Sequence, residues 1–447
     1  MVESTGRRRE MREQAGRLFL RETSMNYTQR RELECLEAAA LAQLQLQKLN
    51  RLLAEILPRN RFYAAKLGRL ELPLRSLDEL EQLPLTYKDE LVGTSSRHEL
   101  ANNLTYPVEH YTRFHRTSGT QGFPLVVLDT AADWQWWLES WQFVLDAADV
   151  GRADRVLAAF SFGPFIGFWS AFEAATARGA LVIPGGGLST EARVELLRAH
   201  HATTLFCTPS YALRLAEVAA AGQLDPASLD VRKIVVAGEP GGSVPAVRDR
   251  IERAWNARVT DHSGATEVGP WGYSDPQRRG LHILESEFIA EFHSVETGQP
   301  AHEGELSELI LTSLGRWGSP VIRYRTGDLV RPTWHRSSEN RFVLLEGGVL
   351  GRVDDMLIIR GVNIFPSSID QILRGFPEIV EYRMTARREG NRDTITVDVE
   401  DRLNDPRRIA HELQLRLGLK VPVQAVPLGS LPRFEGKAKR FVDERLP

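Results

Sequence analysis

Gly351-Arg352-Val353-Asp354-Asp355-Met356-Leu357-Ile358-Ile359-Arg360-Gly361-Val362-Asn363-Ile364-Phe365-Pro366 sets two adjacent carboxylates directly before a short apolar run. The run reads as a buried strand that a glycine and then a proline bring to an end. Unpaired charges are too costly to bury, so Asp354-Asp355 belongs at a solvated junction between two packed bodies. In isolation the pair would be an acidic turn before a strand. Three further motifs, in order along the chain, decide otherwise.

The first is Phe114-His115-Arg116-Thr117-Ser118-Gly119-Thr120-Gln121-Gly122-Phe123-Pro124. Hydroxyls alternate with glycines, so backbone N–H groups and Ser/Thr side chains can converge on one anion. The lysine-bearing P-loop pattern occurs nowhere in the chain. By itself this run is a polar turn. The second is Asp261-His262-Ser263-Gly264-Ala265-Thr266-Glu267, in which Glu267 could ligate a magnesium ion carried in by a nucleotide. In the third, Tyr324-Arg325-Thr326-Gly327-Asp328-Leu329, Asp328 is suited to accept hydrogen bonds from a ribose diol. Near the end of the chain, Leu431-Pro432-Arg433-Phe434-Glu435-Gly436-Lys437-Ala438-Lys439-Arg440 places a glycine before a lysine, a loop tipped with a cation.

Together these phrases resemble the adenylate-forming superfamily of acyl- and aryl-coenzyme A synthetases. Within it they are most similar to the phenylacetate–coenzyme A ligase family. Cys207-Thr208-Pro209-Ser210-Tyr211 ahead of Gly238-Glu239-Pro240 adds to the likeness, which runs from about Asn60 to the C-terminus. The resemblance implies ATP-dependent activation of a carboxylic acid to an acyl-adenylate with release of pyrophosphate. Transfer of the acyl group to the thiol of coenzyme A, with release of AMP, would follow.

The resemblance also implies roles for individual residues. Lys437 would bridge carboxylate, ribose and phosphate during adenylation. Thr117, Ser118, Gly119, Thr120, Gln121 and Gly122 would cradle the β- and γ-phosphates. Thr266 would meet the α-phosphate, Glu267 the magnesium, and Asp328 with Arg352 the ribose. Gly238, Glu239 and Pro240 would border the adenine, and Asp261, His262, Ser263 and Gly264 would also belong to the ATP site. A C-terminal lid would pivot at Asp354 after adenylation and bring Arg360-Gly361 to the pantetheine arm of coenzyme A. Phe160, Phe162, Phe165 and Tyr211 lie in segments that line the aryl pocket, which favours an aromatic or otherwise apolar acid; each ring could equally be core. ATP, magnesium and coenzyme A are the implied cofactors and substrates.

Two departures from the family pattern stand out. Ser263 occupies the place of an aromatic residue that stacks on adenine, leaving His262 or Trp271 as possible substitutes. Phe123 replaces a loop lysine. Two other functions stay open: an adenylation enzyme that hands the acyl group to a carrier-protein thiol, and a non-catalytic nucleotide-binding homologue.

Composition sets limits. A chain of 447 residues, 42% hydrophobic, is long enough for more than one domain. The net charge of −3, from 56 basic and 59 acidic residues, gives no general pull toward nucleic acid. The two cysteines, Cys35 and Cys207, fit neither a disulfide framework nor a zinc site and suit a reducing cytoplasm. No apolar run has transmembrane length and no secretory signal is evident, so no membrane partner is expected. A homodimer is left open, and Met25 is an alternative start.

The expected fold is α/β. A basic extension (1–25) precedes a large N-terminal domain (26–350) of parallel sheets flanked by helices, and a small mobile α+β lid (351–447) follows. Leucines and alanines at helical spacing mark 29–57, and a second helix spans 131–150, with Trp134, Trp136, Trp137 and Trp141 as core. Strand-like runs at 155–160, 180–183, 204–207 and 234–237 alternate with helical stretches such as 191–200, the mark of parallel α/β layers.

Overall fold

The computed structural model describes residues 25–68, 70–92, 100–117, 124–160, 163–334, 339–353, 357–359, 362–389, 392–434 and 440–445. The candidate residues Ser118, Gly119, Thr120, Gln121, Gly122, Phe162, Asp354, Arg360, Gly361 and Lys437 lie outside them.

A nine-stranded sheet organises the larger part of the chain. Its parallel half runs, in spatial order, Leu181–Pro184, Arg155–Ala158, Thr204–Cys207, Lys233–Val236 and Arg258–Ala265. Helices Ile166–Arg178, Thr190–Ala199, Pro209–Ala221 and Pro245–Trp255 form the crossovers. These strands are short and apolar because the sheet is covered on both faces. Alternate residues serve different cores: Ala158, Phe206 and Val235 join one cluster, while Leu157, Leu205 and Ile234 join another. The sheet is mixed rather than wholly parallel. It continues antiparallel through Gly269–Ser274, Gly280–Ile283, Leu344–Glu346 and Pro332–Thr333.

Spatial order reverses between Arg155–Ala158 and Thr204–Cys207, since the chain first steps outward to Leu181–Pro184 and then back. In open α/β sheets the crevice at the carboxyl ends of such a pair is where ligands bind. The residues leaving those ends are Ala159–Phe160 and Thr208, in the two segments singled out for the acyl pocket.

An antiparallel four-stranded sheet follows: Phe288–Ser294, Ser307–Ser313, Tyr324–Val330 and Gly351–Arg352. The buried residues of the third core run from Leu357 to Val421, with Phe376, Leu417, Val423 and Phe441 packed against them. This core packs helices Pro366–Arg374 and Pro406–Leu417 on a sheet of Val423–Ala425, Arg392–Asp401, Ile379–Glu389 and Phe441–Asp443. The apolar run of the opening stretch is indeed a strand: Leu357–Ile359 pairs with Val362–Ile364, and Leu357 is fully buried.

The amphipathic region 29–57 is two helices, Tyr27–Glu34 and Ala38–Ile56, broken at Cys35. Asn26 caps the first through a reciprocal box with Gln29, a pairing that satisfies two otherwise free N–H groups. Helix Ala131–Ala147 starts at a similar box between Thr130 and Asp133, and its four tryptophans are buried in the first core.

Candidate functional site

Strand Tyr324–Val330 assembles the charged part of the site. The Tyr324 hydroxyl donates to Glu267 Oε1 at 2.8 Å. Four residues along the same strand, Asp328 accepts from Arg352 Nη1 at 3.0 Å, across a direct strand pairing. Burial, then the neighbouring Glu267 carboxylate, hold the Tyr324 hydroxyl far above its usual pKa, so it stays a donor. Thr326 Oγ accepts the Asp328 N–H at 3.0 Å and fixes the Thr-Gly-Asp turn.

Sequence reasoning missed Lys88. Thr86 is bridged to Tyr324, its N–H bonding Arg323 O and its carbonyl accepting from Arg325 N. This brings Lys88 Nζ to 4.0 Å from Glu267 Oε1. No local pattern announces such a contact, because it depends on strand pairing between remote segments.

The strands Tyr111–Arg116 and Val126–Thr130 form a hairpin. Thr117 closes its base: its N–H bonds Leu125 O, and its hydroxyl accepts from Leu125 N at 2.9 Å. The hydroxyl run thus begins from a fixed platform. Thr266 and Glu267 follow strand Arg258–Ala265, and Thr266 O is held by Arg316 at 2.7 Å. Gly238, at φ +89°, turns the chain after Lys233–Val236, and Glu239 Oε1 accepts from Ser210 N at 2.7 Å. The Gly-Glu-Pro segment is thereby tied to the first turn of helix Pro209–Ala221.

Of the described rings considered for the acyl pocket, Phe160 and Tyr211 are not on one wall. Phe160 belongs to the first core, whereas Tyr211 is buried in the second, against the opposite face of the sheet. The Tyr211 hydroxyl accepts from Arg193, and Thr190 Oγ lies 3.1 Å from it. Phe165 is half-buried at the start of helix Ile166–Arg178.

Asp261, His262 and Ser263 alternate across their strand. Asp261 is buried, accepting from Ser243 Oγ at 2.5 Å and from His262 N at 3.1 Å. His262 turns to the other face: Nδ1 donates to Gly272 O at 2.7 Å, and the ring packs 4.3 Å from Trp141. Trp271 is fully buried in the first core. Neither ring is free to cover a base at Ser263, which is half-buried opposite Gly272.

Ser263→Tyr is therefore expected to tighten ATP binding roughly two- to tenfold, since an aromatic contact adds about 0.5–1.5 kcal/mol beyond its area. The glycine across the strand leaves room for the ring. Titration calorimetry with a non-hydrolysable ATP analogue checks this; unchanged or weaker binding would mean that the base does not rest on this face.

Burial shifts two neighbours in opposite senses. Desolvation raises Asp261 to about 6 against the hydrogen bonds of Ser243 and His262 N, and lowers His262 to about 4. The raised Asp261 contributes stability at low pH that is lost as pH rises to about 6. The depressed His262 contributes stability above its unfolded pKa that is lost as pH falls to about 4. Between these values the two nearly cancel. Asp261→Asn removes one and is expected to steepen acid destabilisation by about 1.4 kcal/mol per pH unit. Denaturant midpoints of both proteins from pH 6.5 to 4 measure it; parallel curves would contradict the assignment.

Among the described residues no group of three or more His, Cys, Asp or Glu side chains could hold a metal ion. No described helix is long and apolar enough to cross a membrane.

The model for AMP-binding enzymes matches residues 114–295, and that for the AMP-binding enzyme C-terminal domain matches 361–445. A phenylacetate–coenzyme A ligase of Thermus thermophilus is 32% identical, over 93% of this chain and 99% of its own. One of Pseudomonas putida is also 32% identical, over 93% and 96%. Among solved structures, 2-hydroxyisobutyryl-CoA ligase in its postadenylation state with R3-HIB-AMP superposes at a TM-score of 0.86, with 27% identity and 92% and 91% coverage. The same ligase in the thioesterification state, with 2-HIB-AMP and CoA, superposes at 0.70, with 27% identity and 94% coverage of both chains.

Proposed function

The chain belongs to the phenylacetate–coenzyme A ligase family of AMP-binding enzymes, and on that premise we propose how its own residues divide the labour of an AMP-forming acid–coenzyme A ligase. A carboxylate oxygen of the acid attacks the α-phosphorus of ATP, and pyrophosphate leaves. The coenzyme A thiol then adds to the carbonyl of the mixed anhydride, which expels AMP and leaves a thioester. The single observation that carries this reading is the convergence of Glu267, Tyr324 with Asp328, and Arg352, from three segments, into one polar cluster.

Adenylation gathers negative charge, so fixed cations and N–H donors around the phosphorus lower its barrier. The Thr117–Gly122 run takes the β- and γ-phosphates, and Thr266 the α-phosphate. Glu267 suits magnesium as a partly exposed carboxylate with oxygen donors only. The phosphates and water would complete the shell, and the ion would neutralise the triphosphate. Lys88 adds a cation beside it. Asp328 and Arg352 hold the ribose, Gly238, Glu239 and Pro240 border the adenine, and Lys437 meets the reacting carboxylate.

Lys437 and the thiol need the same space, so a second lid orientation follows. The chain leaves the body sheet at Arg352 and enters the third core at Leu357, and Asp354 lies between them as the pivot. Closer superposition on the postadenylation form than on the thioesterification form supports reading the present orientation as one that precedes thiol attack. The acid is aromatic or otherwise apolar. A pyrophosphate-release screen of the purified protein against a carboxylic-acid panel tests the reading, with and without coenzyme A and with mass detection of products. Acyl-CoA and AMP from arylacetic acids are expected. Transfer only in the presence of a carrier protein, or no release with any acid, would overturn it.

A further inference from the structure

We infer that Arg316 is a positioning residue for adenylation, a buried strut that fixes the Thr266-Glu267 turn against the hairpin leading into the hydroxyl run; this rests on the reaction as read above. Arg316 has no exposed surface. Its Nε donates to Asp129 Oδ1 at 2.8 Å, and its Nη1 to Thr266 O at 2.7 Å. Asp129, also fully buried, stands on strand Val126–Thr130 of that hairpin. One guanidinium therefore joins the turn that addresses the α-phosphate and magnesium to the strand Val126–Thr130, which follows the hydroxyl run in the hairpin.

The loop carrying Arg316 is clamped along its length. Asp133 Oδ1 accepts from Trp317 N and Gly318 N, at 2.8 and 3.1 Å. Thr105 Oγ donates to Trp317 O, Tyr111 Oη to Gly318 O and Ser319 Oγ to Leu128 O. No side chain fits at either flanking glycine: a Cβ would lie 2.1 Å from Trp136 at position 315, and 2.3 Å from Asp133 at position 318. The arginine is thus driven inward and held there.

Stability alone does not account for this arrangement. A buried ion pair contributes little net stability over apolar residues of similar volume. Here it also leaves Arg316 Nη2 and Asp129 Oδ2 without a hydrogen-bond partner among the described residues, with His115 Nδ1 3.5 Å from that oxygen. What an arginine adds is a rigid fork whose two donors fix two acceptors in one geometry, which a lysine cannot reproduce.

The test compares Arg316→Lys with the double variant Arg316→Met/Asp129→Leu, which removes both buried charges and so restores packing. Three quantities are read: thermal midpoint, acid-dependent ATP–pyrophosphate exchange, and thioester formation from supplied acyl-adenylate. With its midpoint near that of the parent, the double variant is expected to lose about 10²-fold in exchange, the scale of a misplaced reacting group. Thioester formation should fall much less, by about threefold, since the β- and γ-phosphates have left as pyrophosphate and bond formation has moved from phosphorus to the acyl carbonyl. Arg316→Lys should lose about tenfold in exchange, because one of two fixed bonds is kept. A purely structural role would return exchange together with the thermal midpoint, and that result overturns the inference, as does parental exchange in Arg316→Lys. If the parent itself shows no acid-dependent exchange, the reading of the reaction fails instead.

Discussion

Lys437→Ala is expected to abolish acyl-adenylate formation while leaving thioester formation from supplied acyl-adenylate largely intact. The ammonium is needed only while a carboxylate approaches phosphorus and negative charge concentrates between them. Removing one such preorganised donor costs about 10²–10³-fold in rate, and here a full charge is lost as well. Lys439→Ala serves as the control, expected to leave both half-reactions near the parent. Rapid-quench measurement of each half-reaction separates the outcomes. Equal losses in both steps, or a larger effect from Lys439→Ala, would move the role to another residue.

Asp354→Pro is expected to act on the other half of the cycle. The body sheet ends at Arg352 and the third core begins at Leu357, so the few residues between must absorb any reorientation of the lid. Proline fixes φ near −65°. If one orientation needs a different value, strain of about 1–3 kcal/mol falls on that orientation alone, about five- to 150-fold in its population. Thioester formation should then slow by that factor while adenylation changes little. Losses of equal size in both steps, with circular dichroism unchanged, would mean that the pivot is elsewhere.

What could be read in advance follows from which forces act locally. The parallel strands were visible because Thr204–Cys207 and its neighbours are short apolar runs between turns, as burial on both faces requires. The antiparallel half of the same sheet was not. Gly269, Gly272 and Gly280 interrupt the pattern of Gly269–Ser274 and Gly280–Ile283, and at Gly269 and Gly280 neighbouring side chains and backbone leave no room for a Cβ. The break between the first two helices was hidden because Leu36 keeps the apolar spacing across it.

At the candidate site, carboxylates, hydroxyls and glycines in turns were legible because their chemistry is local. Which face a ring takes was not, since Phe160 and Tyr211 go to different cores through sheet register rather than residue type. Lys88 and Arg316 were missed for a related reason. A charged residue is taken as surface by default, and only pairing across distant segments places one beside Glu267 and buries the other against Asp129.

The central claim is that the acid passes through an acyl-adenylate, and isotope transfer tests it most directly. The purified protein is given ATP, magnesium, coenzyme A and an arylacetic acid whose carboxylate carries heavy oxygen in both positions. Attack on the α-phosphorus followed by thiol attack on the carbonyl must leave one of those oxygens on the nucleotide. The account predicts AMP carrying one heavy oxygen, with unlabelled pyrophosphate, in amounts equal to the thioester formed. Unlabelled AMP, or label in inorganic phosphate beside ADP, would contradict it.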